Sequence, residues 1–230
     1  ARLGALESIL SGTTTALDMY FHPDHNHRGA VEVGLRHVTG PVFFSFPGPD
    51  NLTWDQRMDL ARAWPQTLSE IGGPYVPLAL TPHCPLTVKP EHLRQIGELA
   101  IEQGAIITVH TSENIPENDD TIAAHGDRPT HLLNVTGILD LTPVLAHGVH
   151  LNEAERLLIA AKGAHVAHCP GSNLKLASGA ADLVQYREDG ITVGLGSDGS
   201  STSNDLDMFA VMRLAANLAR LVRSDPAAIT

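Results

Sequence analysis

A short apolar, β-branched run, a polar loop and an amphipathic stretch recur along this chain from end to end. The apolar runs at 13–20, 37–44, 75–81, 105–110, 143–147, 164–168 and 192–197 predict seven strands. Helical periodicity falls between them, at 27–36, 53–70, 90–103, 129–136, 151–161, 179–188 and 204–222, while residues 3–10 read as the end of a further helix. The clearest helix starts are Lys89-Pro90-Glu91, with Pro at the first helical position, and Asn152 ahead of Glu153-Ala154-Glu155. Strands that alternate with helices predict a parallel sheet. Runs apolar on both faces predict a sheet covered on both sides.

Two arrangements satisfy that pattern, a doubly wound sheet and a closed barrel. The first strand–helix turn, Asp18-Met19-Tyr20-Phe21-His22, holds no glycine-rich phosphate loop, so the dinucleotide fingerprint of the doubly wound fold is missing. Polar residues stand at the C-terminal ends of most runs: Asp18, His83, His110, His147, His168 and Asp198. From His83 onward they are spaced by 27, 37, 21 and 30 residues, each about one strand–helix unit. Barrel enzymes assemble their sites from many strand ends in this way. The expected fold is therefore an α/β, (β/α)8 barrel treated as one domain over 1–230, covering about strands two to eight. The remaining strand is expected before residue 1, because 3–10 reads as the helix that follows it. Both ends read as cut from a longer protein, and no linker or low-complexity tract divides the chain.

The 15 Lys+Arg against 26 Asp+Glu give a formal net charge of −11, which argues against nucleic acid as a partner. No apolar run reaches the ~20 residues of a membrane span, and no signal peptide is visible. Two cysteines, Cys84 and Cys169, are too few for a disulfide framework and fit a cytoplasmic location. The 13 histidines are about twice an ordinary complement and direct attention to metal chemistry.

Several strand ends carry reactive groups, each with a plainer structural alternative. His110-Thr111-Ser112-Glu113 offers an imidazole that can ligate a metal and, in the following loop, a carboxylate that can move protons, or else two polar residues on a surface loop. His147 stands between Ala146 and Gly148, which leave room near the backbone; the alternative is a core histidine bonded to a carbonyl. Asp198, between glycines at the end of the last strand, reads as a hard oxygen ligand, as a base for a metal-activated water, or as a turn or cap residue. His83, set between Pro82 and Pro85, reads as a substrate contact. His150 is scaffold by alternation, Cys169 is a small buried residue, and Ser172 and Asn173 shape their loop. His25-Asn26-His27 has the HxH form of a metal pair but stands in a loop that runs into a helix, so it is set aside. His110 and Asp198 alone are fewer than the three protein ligands of a catalytic zinc.

Taken together, Gly12-Thr13-Thr14-Thr15 with Asp18-Met19-Tyr20-Phe21-His22, Thr81-Pro82-His83-Cys84-Pro85, His110-Thr111-Ser112-Glu113, Ala146-His147-Gly148-Val149-His150-Leu151, His168-Cys169-Pro170-Gly171-Ser172-Asn173-Leu174-Lys175-Leu176 and Leu195-Gly196-Ser197-Asp198-Gly199 with Ser203-Asn204-Asp205-Leu206-Asp207-Met208 resemble the amidohydrolase superfamily. Within it the sequence is most similar to the branch of S-adenosylhomocysteine/methylthioadenosine deaminases and chlorohydrolases. The resemblance implies one divalent metal, zinc first and iron second. Its ligands would be His110, Asp198 and two further histidines upstream of residue 1. It implies Glu113 as proton shuttle, His147 as stabiliser of the attacking hydroxide or the tetrahedral intermediate, and His83 as a contact to the heterocycle. No lysine ends the fourth strand, against a carbamylated binuclear site. The HxH of the first strand and the family's small β-sandwich are not in this sequence. Nor does Gly40-Pro41-Val42-Phe43-Phe44-Ser45-Phe46-Pro47 offer the arginines that grip an amino-acid carboxylate.

The implied reaction is hydrolytic deamination of an amino-substituted N-heterocycle, purine-like or related, with ammonia released. The same site expelling chloride or an alkylamine from a triazine-like ring is the alternative chemistry, and a non-catalytic barrel scaffold is the alternative class. A sugar-processing barrel with paired carboxylates fits badly, since few acidic residues end strands here. The expected partner is a small heterocyclic amine; the resemblance admits a homodimer, and the sequence leaves the oligomeric state open.

Overall fold

The computed structural model describes residues 1–229. Strand β1 (Thr15–Asp18) pairs in parallel with β2 (Arg36–Thr39), Asp18 lying opposite Thr39. A second, wholly parallel sheet runs in chain order through β3 (Val42–Phe43), β4 (Ala79–Pro82), β5 (Ile106–Thr111), β6 (Val144–His147), β7 (His165–His168) and β8 (Thr192–Leu195). The predicted strand 37–44 is thus two strands, split at Gly40-Pro41. A Cβ at Gly40 would sit 1.8 Å from the Ala79 carbonyl oxygen, so only glycine lets the chain pass so close to β4. Past the break the Thr81 hydroxyl and N–H donate to the Pro41 carbonyl at 2.9 and 3.3 Å, which keeps the two sheets in sequence. Counting β2 and β3 as one stave, seven parallel staves succeed each other with helices between them, one fewer than the eight of a closed (β/α)8 barrel. No β-sandwich accompanies them among the described residues.

The helices are α1 (Arg2–Leu10), α2 (Pro23–Glu32), α3 (Trp54–Ile71), α4 (Pro90–Gln103), α5 (Ile115–His125), α6 (Pro129–Val135), α7 (Glu153–Lys162), α8 (Pro170–Lys175), α9 (Leu183–Glu188), α10 (Ser200–Ser203) and α11 (Met208–Arg223). Where a capping signal stands in the sequence, the starts agree with it. Asn152 and Glu155 form a reciprocal capping box on α7, as Thr53 and Gln56 do on α3. Helix α2 begins four residues before the predicted 27, because Pro23 occupies its first turn. The core lies between sheet and helices. Phe43, Leu80, Ile107, Val109, Leu145 and Val166 from the strands meet Leu93, Ile96, Ile159 and Ala215 from the helices. Among the described residues no helix is long and apolar enough to cross a membrane.

Candidate active site

Register decides which strand-end residues share a face. His110 on β5 lies opposite Ala146, Ala146 opposite Ala167, and Ala167 opposite Gly194. One imidazole therefore projects into a row otherwise made of the smallest side chains, and that row leaves the barrel mouth open. Its tautomer follows from its neighbour. His110 Nδ1 is 2.8 Å from the carbonyl oxygen of His83, which can only accept, so Nδ1 carries the proton and Nε2 keeps its lone pair. No hydrogen bond occupies that Nε2 among the described residues. Burial, and then His147 nearby, push the His110 pKa down and keep the ring a neutral donor.

Strict alternation would send His147 to the helix side with Leu145. It does not, because His147 adopts a left-handed backbone with φ 72° and is followed by Gly148 at φ 56°. The ring turns back to lie 5.3 Å from that of His110. Two bonds pin the turn: Gly148 N–H donates to the Thr111 carbonyl at 3.0 Å, and the buried Tyr186 hydroxyl donates to the Gly148 carbonyl. Ser112 (φ 50°) and Asp198 (φ 59°) are non-glycine residues in the same conformation, at the ends of β5 and β8. Backbone strain gathered on three strand ends marks a constrained functional region.

Glu113 follows Ser112 and points at His147, its Oε2 3.7 Å from Nε2. Ser178 donates to its Oε1 at 3.2 Å. Its own N–H, with that of Ser112, is held by the buried Glu117 carboxylate at 2.7 and 3.2 Å. His147 Nδ1 donates to Asn173 Oδ1 at 2.8 Å. Asn173 thus positions the imidazole, a contact beyond the loop-shaping read from the sequence. Asp198 lies near enough to favour the charged form of His110. Burial pushes the Asp198 pKa up, but the nearby Ser172 hydroxyl, the Gly199 N–H at 2.6 Å and His147 outweigh it and hold the group below its ordinary value. The His83 ring lies 4.6 Å from that of Phe44, tilted by 30°, and meets His110 edge to face at 5.1 Å. Burial, with His110 and His147 adding to it, lowers its pKa to about 3, so it works as a neutral hydrogen-bonding ring.

The structure therefore brings His83, His110, Glu113, His147 and Asp198 to one end of the barrel. It keeps His25 and His27 apart from them: His25 is exposed, and His27 is buried against His37 at 5.6 Å. His150 is scaffold, its Nε2 donating to the Ser178 carbonyl at 2.6 Å. Cys84 and Cys169 are buried, and burial raises their thiols to about 11 and about 12. Glu117 and Ser178 carried no sequence signal of a site role; Ser178 meets Glu113 across 65 residues. A cavity of about 270 Å³ opens elsewhere, near His22, Asp50 and Arg57, and none of the site residues lines it.

No group of three or more His, Cys, Asp or Glu among the described residues is arranged to hold a metal alone. His110 and Asp198 fit as part of such a set, one offering a free Nε2 and the other a carboxylate held ionised.

The pattern of the amidohydrolase family matches residues 1–229. The sequence is 38% identical over 229 residues to a 5-methylthioadenosine/S-adenosylhomocysteine deaminase of Moorella thermoacetica, covering 100% of this chain and 53% of that protein. The corresponding enzyme of Thermococcus kodakarensis is 37% identical over 226 residues, with 98% and 53% covered. The chain spans about half the length of these relatives. A zinc-bound adenosine deaminase from Xanthomonas campestris superposes with a TM-score of 0.87 at 32% identity, over 100% of this chain and 52% of that one. An atrazine chlorohydrolase from Arthrobacter aurescens complexed with zinc superposes with a TM-score of 0.86 at 24% identity, over 97% of this chain and 53% of that one, a likeness of fold.

Proposed function

The chain belongs to the amidohydrolase family, and from its strand-end residues we propose that the protein hydrolyses the bond between an exocyclic amine and a nitrogen heterocycle, releasing ammonia. The observation that carries this reading is the pairing of a metal-ready imidazole, His110 with Nε2 free, with two proton-handling groups, Glu113 and His147, beside it. The deaminases among its relatives support the class.

His110 Nε2 and the Asp198 carboxylate would hold a divalent cation, zinc before iron by donor type, as two members of a larger ligand set. Such a cation supplies an acidified water near neutral pH. Asp198, held ionised, accepts the proton that water gives up as its oxygen bonds to the amine-bearing carbon. Glu113 donates a proton to the adjacent ring nitrogen, so negative charge does not build there. His147, its Nδ1 fixed by Asn173 and its Nε2 3.7 Å from Glu113, hydrogen-bonds the new C–O group and stabilises it. Glu113 then recovers a proton from the new hydroxyl as the carbonyl forms, Asp198 returns the first proton to the departing amine, the C–N bond breaks, and ammonia leaves. His83 contacts the ring. Glu113 favours this chemistry over dechlorination, since chloride departs without a proton and an amine does not.

The test uses the intact, zinc-loaded protein and follows ammonia release from adenosine derivatives, guanine, pterins, cytosine and aminotriazines. Glu113→Gln is expected to retain metal and lose about 10²–10⁴-fold in turnover. Wild-type turnover in that variant would overturn the assigned roles, and metal binding without release from any ring would overturn the deaminase reading.

A further inference from the structure

Six rings follow one another around the barrel mouth: Tyr20, Phe21, Phe44, His83, His110 and His147. Successive centroids are 5.5, 5.8, 4.6, 5.1 and 5.3 Å apart. Phe46 branches from Phe44 at 5.4 Å. The line has two unlike halves. The imidazole half adjoins Glu113 and Asp198; the other half is hydrocarbon with a single phenol. That aromatic half is not sealed, since Tyr20 is 63% and Phe46 50% exposed, which leaves large apolar rings beside the polar centre.

Among the described residues, the cations beside these rings are already committed or exposed. Arg57 lies 5.3 Å from the Phe44 ring centroid, but it is 1% exposed and donates to Asp50 at 2.9 and 2.5 Å and to the Val42 carbonyl at 2.9 Å. Lys89 reaches neighbouring Ser45 through its backbone N–H, and its side chain is exposed, where water screens an ion pair. A carboxylate laid against Phe44 and Phe46 would lose hydration without gaining a buried partner, whereas an apolar group gains by burial.

We propose that Phe44 and Phe46, extended by Phe21 and Tyr20, form the subsite for the substituent of the substrate and restrict the enzyme to amino heterocycles whose substituent is uncharged and apolar. This subsite rests on the deaminase reading of the same site. It places the reacting ring at His83 and His110 and its substituent along the phenyl rings.

The test compares kcat/KM of the intact, zinc-loaded protein for three probes that share one ring: adenosine, methylthioadenosine with an apolar tail, and S-adenosylhomocysteine with a charged amino-acid tail. Methylthioadenosine is expected to exceed S-adenosylhomocysteine by at least tenfold. Phe46→Arg, at an exposed position that leaves the core untouched, is expected to shrink that ratio at least tenfold, mainly through KM, while Phe46→Leu preserves it. Equal use of the two tails by the wild type, or an unchanged ratio in Phe46→Arg, would overturn the subsite while leaving the deaminase reading in place. No ammonia from any of the three would overturn the adenosine-type deaminase reading and the subsite with it.

Discussion

Glu117 is 9% exposed and accepts from two consecutive backbone N–H groups, those of Ser112 and Glu113. Its pKa is raised, chiefly by burial. An amide at this position has one acceptor oxygen for two donors, and leaving a buried donor unpaired costs about 1–3 kcal/mol. Glu117→Gln is therefore expected to release the left-handed turn at Ser112 and misplace Glu113. It should lower kcat about tenfold with KM within about twofold, since positioning acts on the transition state. Steady-state kinetics on the intact protein check it, and an effect confined to KM would remove Glu117 from this role. Asn173→Ala should act likewise by freeing the His147 ring, reducing kcat/KM about tenfold or more. His110, His147 and Asp198 were legible from their positions at strand ends. Glu117 and Asn173 were not, because what matters is which oxygen meets which N–H across a turn or across 26 residues.

Among the elements, two sequence details carry measurable energy. Thr53 accepts from Gln56 N–H at the start of α3. Thr53→Ala is expected to cost about 1 kcal/mol, read as a lower denaturation midpoint. Gly40→Ala places a methyl group 1.8 Å from the Ala79 oxygen. It should destabilise by about 3 kcal/mol or more, since two strands must separate to admit it; a loss under 1 kcal/mol would show that the β2–β3 break absorbs the strain. The long amphipathic helices were legible because burial imposes a 3.6-residue period. Helix α5 was not: its first turns read Ile115-Pro116-Glu117-Asn118-Asp119-Asp120, with almost no apolar period, and only its Asn114 cap and Pro116 mark the start. Helix α8 has six residues, too few to show a period.

Across the whole molecule, β1 and β8 are the sheet edges that do not pair with each other, and both alternate between half-buried and exposed residues. Near them Glu7 and Ser11 of the α1 region bond to the Leu206 backbone at 3.0 and 2.8 Å, tying the two ends of the chain together. His110 belongs to β5 and Asp198 follows β8, so a cation shared between them would tie separate staves. Chelation of the intact protein is expected to abolish ammonia release and lower the melting temperature, with zinc restoring both; an unchanged melting temperature after complete metal removal would contradict a metal held by these strands. The repeat of apolar run, polar loop and amphipathic stretch by itself determined a parallel α/β fold, and the polar residues at the strand ends, not the repeat, favoured a barrel over a doubly wound sheet. Local periodicity reports which face of each element is buried, and strand ends fall at countable positions. Tertiary structure alone decided the register that sets His110 in a row of Ala146, Ala167 and Gly194, and the left-handed turn that brings His147 back to it. It also decided the Glu117 cradle and the aromatic line that ends at His83. Those are contacts between segments distant in sequence, or departures from regular alternation, and neither leaves a periodic trace in the chain.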